Sequence, residues 1–418
     1  MVKEILFLSY HFAPYSKILS IRAAEFAKRL IQLGYKIFVV RAKVNKNALK
    51  DGKLLEKVDS PLIENHPVFN LSFSKEGIQS NLKKVTPNLD IINFLLFFHW
   101  IPLAFLTCRK LIKRNNIRLI YASAPPFFTL LLGFLLKKIY KIPLIIEYRD
   151  PWSYNPYLEE TAKTFIDKTY LKIEKKILKS ADSIICISDG MKQFLIEKFP
   201  DQLKNKDLKV IPHGVNFEEI SQIALKKKLE NEIIITFTGN LYGLRNLKPL
   251  IKIISSSKKF GKLDGISLKI KIFGRYDSGY LENLIKKYDV IEYFNLQGFV
   301  PRDMCFEEVY NSSLALHVGE DLNYPTLSFK VLEYLSMRKK IMYLGKEDSY
   351  TAKFLEENDM GFTIPINDFN AGLNKFGLLI EKIKSKQISL EILPNKLKSL
   401  TWDKNSNELA DIFKKFFN

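Results

Sequence analysis

Short apolar runs recur along the chain, each followed by an amphipathic stretch of helical length, in two successive series. The first series reads 4–9, 36–40, 119–123, 143–148, 183–187 and 209–212; the second reads 232–237, 268–273, 293–296, 314–318, 340–344 and 361–364. Strands this continuously apolar are covered on both faces, as in parallel sheets flanked by helices. The pattern predicts an α/β fold of two facing doubly wound, Rossmann-like domains with a cleft between them. A polar, charged stretch over 215–231 follows Pro212-His213-Gly214 and reads as the join. The first domain is therefore expected over 1–215 and the second over 216–404, with a last helix, 405–418, packing back on the first.

Composition narrows the partners. With 47% hydrophobic and 26% charged residues the chain is globular rather than disordered. Lys plus Arg total 65 against 45 for Asp plus Glu, and the resulting +20 favours anionic ligands such as nucleotides or a phospholipid surface. Nucleic acid is set aside, because the basic residues are dispersed and no module with interleaved aromatics is visible. Cys108, Cys186 and Cys305 are too far apart to imply a disulfide framework or a zinc site. The first ten residues read as a strand, without a basic leader or cleavage site, so a cytoplasmic location is expected. The apolar run 91–108 contains Asn93, His99 and Pro102 and falls short of the roughly 20 clean residues a span needs. Arg109, Lys110, Lys113 and Arg114 follow it. Two readings stay open: a segment lying in the inner membrane interface, or a buried core helix.

Open α/β sheets bind ligands at the carboxyl ends of their strands, so the loops there carry the chemistry. After the first strand, His11, Ser20 and Arg22 surround the start of a helix that can receive an anion. Arg149 and Asp150 close a later strand; a carboxylate there is a candidate for orienting a nucleophilic hydroxyl. In the second half, Gly239 and Gly243, with Asn240 between them, permit close backbone approach, and Arg245 and Lys248 can neutralise a diphosphate. Gly274 and Gly298 each end a strand where the flat edge of a base could enter. Ser328-Phe329-Lys330-Val331-Leu332-Glu333 opens a short helix after another strand. Its positive N-terminal end with Lys330 suits a phosphate, and Glu333, on the same face, suits a sugar hydroxyl.

The order of these motifs resembles the family 4 glycosyltransferases of the GT-B fold, particularly the branch of bacterial surface-polysaccharide assembly. The matching residues run from Pro14, Ser20 and Arg22 through Gly34-Tyr35-Lys36, Arg149-Asp150-Pro151-Trp152 and Ala181-Asp182-Ser183 to Ile211-Pro212-His213-Gly214-Val215. They continue with Gly239-Asn240, Gly274, Gly298-Phe299-Val300-Pro301 and Ser328-Phe329-Lys330 with Glu333-Tyr334. Three departures stand out. Many relatives carry a second glutamate eight residues before the equivalent of Glu333, where this chain has Pro325, often an arginine where this chain has Asn240, and a first-domain histidine where this chain offers Asp150.

The resemblance implies a retaining transferase that moves a sugar from a nucleotide-sugar, a UDP-sugar first of all, to a saccharide acceptor. That acceptor would be lipid-linked and belong to capsule, O-antigen or exopolysaccharide. Donor contacts would come from Gly239, Asn240, Arg245, Lys248, Gly274, Gly298, Ser328, Lys330 and Glu333, and acceptor contacts from His11, Ser20, Arg22, Arg149 and Asp150. Asp150, Arg245 and Lys330 would carry the chemistry. No cofactor or metal is expected, since the chain has no Asp-x-Asp pair or His cluster with ligand spacing. The alternatives are a GT-B nucleotide-sugar epimerase and a non-catalytic nucleotide-sugar-binding protein.

Overall fold

The computed structural model describes residues 2–15, 18–44, 50–70, 99–156, 165–215, 232–241, 245–319 and 324–417. The expected join over 216–231, the segment 91–98 and Gly243 lie outside them. The chain divides into two units, Met1–Gly214 with Trp402–Asn418, and Val215–Thr401.

The first unit holds β1 (Lys3–Leu8), β2 (Tyr35–Ala42), β3 (Ile63–Val68), β4 (Ile117–Ala124), β5 (Leu144–Tyr148), β6 (Ser183–Cys186) and β7 (Leu208–Val210). They form one seven-stranded parallel sheet in the order β3-β2-β1-β4-β5-β6-β7. Successive β1 residues serve opposite cores, with Leu6 and Leu8 packing on one face and Ile5 and Phe7 on the other. The apolar runs are therefore continuous because both faces are covered. β3 was not anticipated, since its sequence, IENHPV, mixes polar residues with a proline. It is an edge strand, where a missing N–H costs little and only one flank needs a partner.

The helix Trp402–Lys414 packs on the first unit. Trp402 meets the Phe26 ring edge-on at 5.7 Å, Phe413 sits 5.6 Å from Tyr121, and the Tyr35 hydroxyl donates to the Ala410 carbonyl at 3.1 Å. Gly214 admits this helix, because a Cβ there would lie 2.3 Å from the Trp402 ring.

The helix Trp100–Arg114 buries Trp100, Ala104, Cys108 and Leu111 in the core of the first unit, so the core reading holds for that face. Its outer face is different: Leu103 and Leu106 are 42% and 57% exposed, and Arg109, Lys110, Lys113 and Arg114 are exposed beyond them. Among the described residues no helix is long and apolar enough to cross a membrane.

The second unit holds β8 (Ile233–Thr238), β9 (Leu268–Phe273), β10 (Phe294–Gly298), β11 (Leu314–Val318), β12 (Ile341–Gly345) and β13 (Gly361–Pro365). Its six-stranded parallel sheet runs β10-β9-β8-β11-β12-β13. The order reverses between β1 and β4 in the first unit and between β8 and β11 in the second. Such switch points open a crevice at the carboxyl edge of a sheet.

Candidate active site

At the carboxyl edge of the first sheet lies a buried ionic cluster. Glu147, an ionisable residue inside the apolar β5, accepts from Arg22 Nε at 2.9 Å and Nη2 at 2.7 Å on one oxygen, and from the Ser123 hydroxyl at 2.5 Å on the other. Arg22 also donates to the carbonyls of Ile211 and Pro212 at 2.8 and 2.6 Å, and its guanidinium lies over the Phe26 ring. Arg149 donates to the carbonyls of Ala124, Pro125 and Leu19 at 3.0, 2.9 and 2.9 Å. Burial alone would raise the Glu147 carboxyl, but Arg22 and Arg149 outweigh it and hold it below its ordinary value.

Arg22 and Arg149, expected to meet an acceptor, have guanidiniums that are almost wholly buried and engaged by protein oxygens, and these bonds shape the sheet edge. Ser20 is buried with them. His11 and Asp150 are half-buried on the loops after β1 and β5, and His11 stacks on Tyr15 at 5.5 Å. His213 was not anticipated as a member of this edge. Burial, then the charges of Arg22 and Arg149, push its imidazole well below its ordinary pKa and keep it neutral.

Glycine turns and a capped helix build the carboxyl edge of the second sheet. Gly239 follows β8 at φ +143° and Gly274 follows β9 at φ +123°, both left-handed or beyond, where a side chain would strain the backbone. The two turns touch. A Cβ on Gly274 would fall 1.8 Å from the Gly239 carbonyl oxygen, Gly239 N–H donates to Phe273 O at 2.9 Å, and Arg275 N–H donates to the Asn240 side chain at 3.3 Å. Gly274 N–H donates in turn to the Gly298 carbonyl at 2.6 Å, so the three glycines sit in one row.

The helix Phe329–Ser336 follows β11 at the switch point. Ser328 caps it by accepting from Val331 N–H, and its hydroxyl lies 3.3 Å from His317 Nε2 at the end of β11. Lys330 and Glu333 form an ion pair at 2.7 Å, Lys330 being the more exposed at 35% against 10%. His317 stacks on Tyr343 at 5.7 Å. Burial, with the nearby charge of Arg245, pushes its imidazole down to about 3, so it is neutral at any working pH. Lys248 is exposed at the start of the helix Lys248–Lys259. The structure thus brings Gly239, Asn240, Gly274, Gly298, Ser328, Lys330 and Glu333 to one edge of the second sheet. Pro325 is buried, and no carboxylate stands at its position. Among the described residues no three His, Cys, Asp or Glu side chains are grouped as a metal centre would need.

Residues 19–219 match Glycosyltransferase Family 4. An uncharacterized glycosyltransferase of Methanocaldococcus jannaschii is 25% identical over the whole chain and 99% of its own length. The chain is a glycosyltransferase of GT-B fold whose residues 19–219 match family 4.

The fold of this glycosyltransferase extends to solved structures of low identity. Sucrose-phosphate synthase from Thermosynechococcus elongatus superimposes with a TM-score of 0.68 at 14% identity, covering 99% of both chains. The lipopolysaccharide outer core galactosyltransferase WaaB does so with a TM-score of 0.64 at 11% identity, again over 99% of both chains.

Proposed function

We propose that this glycosyltransferase takes a sugar from a nucleotide-sugar, a UDP-sugar first, and transfers it with retention to a lipid-linked saccharide in cell-surface polysaccharide assembly. The observation that carries this reading is the Lys330–Glu333 pair on the capped helix at the β8–β11 switch point, beside the Gly239–Gly274 turns. Glu333 accepts from ribose hydroxyls, and the glycine row admits the base and pyrophosphate without side-chain interference. Cleaving the glycosyl–phosphate bond develops negative charge on the bridging oxygen. Lys330, with Arg245 or Lys248, and the helix N-terminus stabilise that charge, a contribution of a few kcal/mol, in place of a divalent metal. The departing phosphate takes the acceptor's proton, and Asp150 with His11 orients the acceptor hydroxyl.

The surface-polysaccharide reading is supported by the outer face of the helix Trp100–Arg114, apolar at Leu103 and Leu106 and basic beyond. Such a face suits an anionic inner leaflet carrying a lipid-linked acceptor.

The test is a thermal-shift screen against UDP-, GDP-, dTDP-, ADP- and CMP-sugars, with Lys330→Ala and Glu333→Ala alongside. Stabilisation by one nucleotide class that disappears in both variants is expected; the same shift in both variants would move the donor site elsewhere. Turnover unaffected by EDTA and a product of retained anomeric configuration by NMR are expected once a donor is found.

A further inference from the structure

The two neighbours of β8 leave it at different points. On the β9 side pairing continues to Thr238 opposite Phe273, but on the β11 side it covers only Ile235 with Leu314 and Thr236 with Ala315. Backbone groups of alternate residues in a strand face the same neighbour. The Ile234 carbonyl accepts from Ser313 N–H at 2.7 Å, Thr236 pairs next, and Thr238 is the following residue in that row. Its N–H and C=O thus point to where β11 has already turned away. Left alone, both would be buried without partners.

One side chain occupies that place. The Tyr334 hydroxyl accepts from Thr238 N–H at 3.0 Å, donates to the Thr238 carbonyl at 3.1 Å and lies 3.1 Å from Thr238 Oγ1. Tyr334 and Thr238 are 1% and 3% exposed, so water does not compete. Burial pushes the phenol well above its ordinary range, which keeps the proton it donates. Tyr334 stands on the same helix as Lys330 and Glu333, and Thr238 immediately precedes the Gly239 turn.

We infer that Tyr334 is a positioning residue for the donor site: its phenol replaces the missing strand partner of Thr238, keeps β8 and β11 apart at the switch point, and fixes the Gly239–Asn240 turn relative to Lys330 and Glu333. The inference rests on the reading of this edge as the donor site. The conservative change Tyr334→Phe keeps the ring and removes only the hydroxyl.

Calorimetric titration of UDP, GDP, dTDP and ADP into the wild type, Tyr334→Phe and Glu333→Ala tests both. The diphosphate that binds the wild type is expected to bind Tyr334→Phe about tenfold more weakly, the loss of a buried hydrogen-bonded partner. In turnover the donor KM rises while the acceptor KM holds, a split that a merely destabilised fold would not produce. Amide exchange provides a second measurement: protection at residues 238–240 falls in Tyr334→Phe while that of 233–236 persists. Unchanged affinity in Tyr334→Phe with lost affinity in Glu333→Ala overturns the positioning role and leaves the donor site standing. Unchanged affinity in both variants, or no binding of any of the four to the wild type, overturns both.

Discussion

Arg22 and Glu147, 125 residues apart, are joined by two charge-assisted hydrogen bonds to a single carboxylate oxygen, with both side chains 1% exposed. Removing one partner from such a pair leaves the other charged and buried. Arg22→Ala is expected to destabilise the first unit by about 3–5 kcal/mol, whereas replacing both by leucine costs less than Arg22→Ala alone. Denaturant unfolding followed by tryptophan fluorescence would compare them. Because the folded Glu147 pKa is depressed, this pair's contribution is full above the unfolded value of 4.5 and fades as pH falls through the folded one.

Glu174 behaves in the opposite way. It is buried on the helix Phe165–Ser180 and accepts from Ser153 N–H at 3.0 Å, tying down the loop that carries Asp150 and Trp152. Burial pushes its carboxyl from 4.5 up to about 7. A raised acid favours the protonated folded state, so the stability it confers is complete below pH 4.5 and is lost as pH rises through 7. The shift corresponds to about 3 kcal/mol. Glu174→Gln should abolish this slope: the variant is expected to gain on the wild type in melting temperature at pH 8 relative to pH 5. Parallel melting curves across that range would count against it.

Gly274→Ala places a methyl 1.8 Å from the Gly239 carbonyl oxygen, at a φ of +123° that alanine avoids. The two turns must separate to accommodate it. Loss of nucleotide binding is expected, with destabilisation of about 2 kcal/mol or more. By contrast Gly34→Ala, with φ +86° but open space around it, should cost only the backbone strain of about 1 kcal/mol and leave binding intact. Thermal melts and nucleotide titrations of the two variants would separate contact from conformation.

Charge reversal at Arg109, Lys110, Lys113 and Arg114 is expected to release the protein from vesicles containing anionic lipid while leaving its melting temperature unchanged, because all four side chains are exposed. Each contributes about 1 kcal/mol near such a surface. Equal sedimentation with vesicles before and after the change would remove the interfacial reading of the Trp100–Arg114 helix.

Most of the architecture was legible in the sequence. Runs such as residues 143–148 and 314–318 announce doubly covered strands, because a side chain must be apolar wherever helices lie on both faces. β3 was not legible, since an edge strand escapes that requirement and its IENHPV sequence has no such pattern. The strand-end glycines of the second sheet and the capped helix opening at Ser328 could also be read in advance, since a turn at positive φ and a helix cap are short-range demands on residue type.

Long-range pairing decided the rest. Arg22 and Arg149 look like ligand-binding cations in sequence, but folding sets them against Glu147 and a ring of carbonyls, where their charges hold the sheet edge together. Nothing near Tyr334 in the chain marks it as the partner of Thr238, 96 residues away. Local periodicity specifies which segments become strands and helices. Which buried donor meets which acceptor depends on the sheet order and on where two strands part, and only the tertiary structure sets that.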